Sequence, residues 1–179
     1  MASVPESLTL RLFSVVRKLR LFRLLRVGTS KRRFLDYFKG FEKSQAVWGI
    51  FGDKTEEVLR NLRVEFIMFG YMGVDDGDGH LMVNQRYLNS GDRSEIYLDV
   101  VHELCHVKQH MDGRRLFDQR YDYVNNPTEI EAYRYAVLEA KRIGFSNQRI
   151  LRYLQMEWMS AEEVKCLVNN IGIDLYASS

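Results

Sequence analysis

Cysteine and proline are scarce in this chain. Two cysteines, Cys105 and Cys166, in 179 residues exclude a disulfide scaffold and point to a reducing cytoplasm. Two prolines, Pro5 and Pro127, leave no proline-rich linker, and no repeat or low-complexity stretch divides the chain. The N-terminal stretch is too charged to be a membrane span, which needs roughly 20 mostly apolar residues. It also lacks the apolar core and cleavage site of a secretory signal. Hydrophobic residues at 46% suffice for a core, and the length fits one domain with an appendage.

The net charge of +2 conceals an asymmetry. Residues 1–34 hold nine Lys or Arg against the single acid Glu6, a net +8, so the remainder carries −6. We therefore divide the chain into a basic, apolar N-terminal segment (1–34) and a domain over 35–179. Arg17, Arg20, Arg23 and Arg26 recur every three residues. On a helix of 3.6 residues per turn such a row winds around the axis and leaves no clean apolar face. Residues 11–33 then fit structural packing with snorkelling arginine tips, peripheral attachment to anionic lipid, or an acidic partner. No nucleic-acid-binding motif accompanies the charge, so nucleic acid is not an expected partner.

The informative element is His102-Glu103-Leu104-Cys105-His106, an H-E-x-x-H pattern. Asp92 and Glu95 fit a capping box, and Ile96, Val100, Val101, Leu104 and Val107 are spaced as a buried helical face. Gly113 is placed to end that helix. On a helix, residues four apart share a face, so His102 and His106 aim two imidazoles at one point, as a zinc site requires. Glu103 beside them is placed to take a proton from an activated water. Cys105 leaves the metal face and reads as a small core residue.

Catalytic zinc takes three protein ligands. A third histidine at the usual spacing is lacking, since position 109 is Gln and 112 is Asp, and His110 lies too far along the helix. A second predicted helix begins at Asn126-Pro127, with Asn126 as N-cap and Pro127 in its first turn. It carries two glutamates. Glu129 falls at N3, where it can cap the Asn126 amide. Glu131 lies beyond the cap, next to the small Ala132. We assign Glu131 to the metal and Glu129 to the cap.

These residues resemble a family. H-E-x-x-H followed by a helix carrying Glu-Ala is similar to the gluzincin metallopeptidases, and the compact size resembles the minigluzincins; the likeness covers about residues 79–143. It implies His102, His106 and Glu131 as Zn2+ ligands, Glu103 as general base and acid, and a peptide or protein substrate. Tyr135 stands where larger members place an Asp behind the first histidine. The resemblance also implies that the strand His80–Asn84 borders the cleft.

The rest of the chain reads as a mostly helical, zincin-like α+β domain with a small antiparallel sheet. Helices are expected over 34–46, 53–62, 146–156 and 160–170, with a break at 48–52 and strands at 64–69 and 79–84. Asp75-Asp76-Gly77-Asp78-Gly79 reads as a hairpin turn, because Tyr87 occupies the place of the closing Glu of a calcium loop. His80 reads as a solvated strand residue. Tyr133, Arg134, Tyr135 and His110 are candidate oxyanion donors by proximity. The expected activity is zinc-dependent peptide hydrolysis. Its alternatives are a regulatory protease that cuts one partner and a non-catalytic zinc-stabilised domain.

Overall fold

The computed structural model describes residues 30–68 and 70–176. The readings made for residues 1–29 lie outside them. The described part opens with β1 (Arg32–Arg33) and α1 (Phe34–Tyr37), followed by α2 (Gln45–Phe51) and α3 (Thr55–Asn61). Next come β2 (Arg63–Ile67), β3 (Met72–Val74), β4 (Leu81–Asn84) and α4 (Gln85–Ser90). The long helix α5 (Arg93–Met111), then α6 (Pro127–Arg142), α7 (Asn147–Leu154) and α8 (Ala161–Ile171), complete it. The last basic residues of the N-terminal segment thus enter the sheet, and Phe34 after them is fully buried.

The sheet is small, but it is not antiparallel throughout. Its order is β1-β2-β4-β3, and β2 pairs with β4 in parallel, Val64 opposite Leu81. Beyond Ile67 the chain lays β3 on the far side of β4 and turns back, so β4 arrives beside β2 in the same direction. Both edges of β4 are therefore occupied. Among the described residues the strand with an open edge beside α5 is β3, not β4 as the resemblance implied.

The turn between β3 and β4 is a hairpin turn. Asp75 accepts from the amides of Gly77 and Asp78 through its carboxylate. Gly79 has φ +74°, and a Cβ there would lie 2.6 Å from His110 Nδ1, so the turn closes against α5. This fold-back buries His80, contrary to the solvated reading. Its Nε2 lies 2.9 Å from buried Glu65, and its Nδ1 meets Asp78.

Two further corrections concern helices. The supposed break at Trp48–Gly52 is mostly helix: Ser44 caps α2, and the Gly49 carbonyl inside it accepts from Tyr135 OH at 3.2 Å. Asn84 caps α4 through Arg86 and Tyr87, so a short helix separates the sheet from α5.

Two hydrophobic cores result. One joins the sheet, α1–α3 and one side of α5, with Phe34 stacked on Phe38 at 4.9 Å. The other joins α6, α7 and α8. Helices α5 and α6 serve both: Val101 and Ala132 lie in the first, Leu98 and Tyr133 in the second. All residues from Val100 to Val107 are buried, which makes α5 a central helix covered on every side there.

Candidate metal centre

Helix α5 starts where Asp92 accepts from the amides of Ser94 (2.9 Å) and Glu95 (3.1 Å). One helical turn separates His102 from His106, and their Nε2 atoms lie 3.0 Å apart. Helix α6 starts at Asn126, whose side chain accepts from Thr128 N at 3.1 Å. Asn126 Nδ2 and Thr128 Oγ1 both donate to the Leu116 carbonyl at 3.2 Å, which ties this start to the preceding loop. Glu129, only 1% exposed, then turns inward. Its Oε2 lies 3.4 Å from His102 Nε2 and 3.6 Å from His106 Nε2.

Those three atoms form a triangle of edges 3.0, 3.4 and 3.6 Å. Tetrahedral ligands at about 2.05 Å from zinc lie about 3.3 Å apart. The donor set, two imidazoles and a carboxylate, also suits that ion, so residues and spacing fit zinc. Burial pushes the His102 pKa down, against the pull of Glu129, and favours the neutral ring that ligates metals.

No protein-family model, curated protein or solved structure matches the chain.

The third vertex corrects the sequence reading. Glu131, expected at the metal, instead accepts from Gln109 Nε2 at 2.9 Å and from Arg114, with its side chain 42% exposed. Residues two apart on a helix point roughly 200° apart, so Glu129 and Glu131 cannot both face α5 in one way. The capping duty foreseen for Glu129 is met elsewhere: the Asn126 amide donates to Tyr123 O at 3.4 Å, across the short 3-10 turn Tyr123–Asn125. That frees Glu129 for the histidines.

Glu103 is buried, only 6% exposed. It lines a small cavity with Gly73, Val74, His106, Leu116 and Phe117. The edge strand β3 and the loop after α5 thus form the walls beside the proposed base. The four oxyanion candidates make contacts elsewhere. Tyr133 packs its ring edge on His102 at 4.3 Å and pairs its hydroxyl with Tyr123 at 2.7 Å. Arg134 donates to Ile171 O and Tyr135 to Gly49 O. His110 lies against Gly79. Cys105 is buried in the first core, and burial pushes its thiol pKa up.

Sequence reasoning missed Asp99, one turn before Glu103. It accepts from Tyr153 OH at 3.0 Å and from Tyr87 OH. Burial raises its pKa to about 6; the tyrosine hydrogen bonds oppose the shift and the charges of Glu103 and Glu95 add to it. The signal available was the i, i+4 spacing of Glu95, Asp99 and Glu103. Since the folded pKa lies above the ordinary 3.8, the folded state holds this proton more tightly. Its contribution to stability is full below about pH 4 and is lost as pH rises through about 6. At about 1.4 kcal/mol per pKa unit the swing is up to about 3 kcal/mol. Denaturant unfolding of wild type and Asp99→Asn should therefore show a stability difference that shifts in favour of the variant across that window. A difference independent of pH would contradict it.

Proposed function

We propose that this chain is a gluzincin-type zinc metallopeptidase, with His102, His106 and Glu129 holding the ion and Glu103 carrying the proton. The observation that supports it most is the triangle of two Nε2 atoms and one carboxylate oxygen at tetrahedral-zinc spacing. When bound, zinc would supply a Lewis acid and a water that loses its proton near neutral pH. Glu103 would accept that proton in its cavity and return it to the departing amine nitrogen. Buried Leu116 and the ring of Phe117 line the cavity beside the carboxylate, and such apolar neighbours would strengthen its electrostatic role. The edge of β3 and the Leu116–Phe117 loop would border an extended peptide or protein substrate. The proposed setting is a reducing cytoplasm, in keeping with free Cys105 and Cys166. Among the described residues no helix is long and apolar enough to cross a membrane.

The test is metal analysis of the purified full chain followed by a peptide-library assay before and after chelation. We expect about one zinc per chain and cleavage that stops with chelator and returns with zinc. Failure to bind zinc would overturn the proposal outright. Zinc binding without cleavage of any peptide would reject the general peptidase and leave a protease confined to one partner or a structural ion.

A further inference from the structure

Gln109 sits one turn after His106 on α5 and is 1% exposed. Its amide meets four groups, one of them the soft acceptor Cys105 Sγ at 3.5 Å from Nε2. Nε2 lies 3.0 Å from the Thr128 carbonyl and 2.9 Å from Glu131 Oε2, and Oε1 lies 2.7 Å from His106 Nδ1. A peptide carbonyl and a carboxylate only accept hydrogen bonds, so the NH2 end of the amide must face them. Its oxygen then faces His106, and an oxygen there requires a proton on Nδ1. In a neutral imidazole that leaves Nε2 bare. The bare nitrogen is the one at the triangle with His102 and Glu129.

We infer that Gln109 is a positioning residue that presets His106 as the Nδ1–H tautomer and aims its Nε2 lone pair at the metal position. The same amide holds α6 in place, because Thr128 precedes Glu129 directly and Glu131 follows it by two residues. One buried side chain thereby registers a ligand from α5 against the ligand from α6. Arg114 completes the chain by compensating Glu131 at the exposed end. His102 has no such device: among the described residues its Nδ1 has no hydrogen-bond partner. The two imidazoles are therefore prepared unequally, His106 by a hydrogen bond and His102 by packing against Tyr133.

This inference rests on the proposed metal site, and two measurements separate their failures. The first is long-range 1H–15N correlation on the metal-free full chain with labelled histidine, at a pH where the rings are neutral. His106 should show a protonated Nδ1 and a bare Nε2; the opposite tautomer, or a mixture, would overturn the inference whether or not zinc binds. The second compares zinc affinity by chelator competition in wild type and Gln109→Met, a swap of similar volume. Removing a partner that orients a ligating histidine typically costs about 10- to 100-fold in metal affinity. We expect a loss in that range together with a mixed His106 tautomer in the variant. Unchanged affinity and unchanged 15N shifts in a folded variant would sink the role of Gln109 while leaving the zinc site standing. Wild type that binds no zinc yet keeps the Nδ1–H form would sink the zinc site and uphold the preset ring.

Discussion

Glu129→Ala should strip the protein of zinc, while Glu131→Ala should leave it loaded. The two residues share a helix and a charge and differ by two positions, which makes the pair a clean discriminator. Glu129 contributes an oxygen 3.4 and 3.6 Å from the two imidazole nitrogens. Without it the ion keeps two protein ligands of three, and affinity should fall by well over about 100-fold, the upper end of what a lost supporting hydrogen bond costs. Among the described residues Glu131 reaches the site through Gln109, whose amide keeps Thr128 O as an acceptor when the carboxylate is gone. Its loss should cost about 10-fold at most. Chelator competition on the two variants reads both effects, and the reverse order of affinities would show that the carboxylates exchange roles.

Glu103→Gln should abolish turnover and spare the metal. The carboxyl is not a vertex of the triangle, so the amide of the same shape should leave zinc content unchanged. What it would remove is the proposed proton acceptor in the cavity beside β3. Positioned acid–base groups contribute about 10²- to 10⁴-fold, and the loss in kcat should fall in that range with KM little altered. Steady-state hydrolysis of a cleaved library peptide, beside metal analysis of the same sample, checks it. A variant that still turns over would move the base to another group, and one that loses zinc as well would make Glu103 a structural partner of the site.

The part of this architecture that was legible in the sequence is the part fixed locally. The α5 helix could be read from Asp92, Gly113 and the apolar spacing between them, and the convergence of His102 and His106 follows from one turn of helix. The choice between Glu129 and Glu131 could not be read that way. It hangs on whether the Asn126 amide is already satisfied, and Tyr123, which satisfies it, does so only through the path of the intervening loop. The three-residue strand β3 has no alternation long enough to register in the sequence, and its pairing is with β4. The parallel match of β2 with β4 is likewise a tertiary choice. His80 looked like a surface residue until the fold-back brought Glu65 to it, fifteen positions earlier in the chain. Gln109 carried no motif value, since its meaning lies in the carbonyl and carboxylate that another helix presents to its amide.

The sharing of α5 and α6 between both cores has a mechanical outcome. Enzymes that clamp substrate between two lobes need a hinge, and a hinge needs a line along which few apolar contacts cross. Here that line would run through the two helices that hold Val101 and Ala132 on one side and Leu98 and Tyr133 on the other. Prising them apart would tear both interiors at once. If Glu103 acts as proposed, access to it would come from the rim, where Phe117 is 37% exposed on the stretch that joins the two helices. Under the proposed function, adaptation to differently sized guests would fall to that stretch, with the helices behind it acting as a fixed anvil.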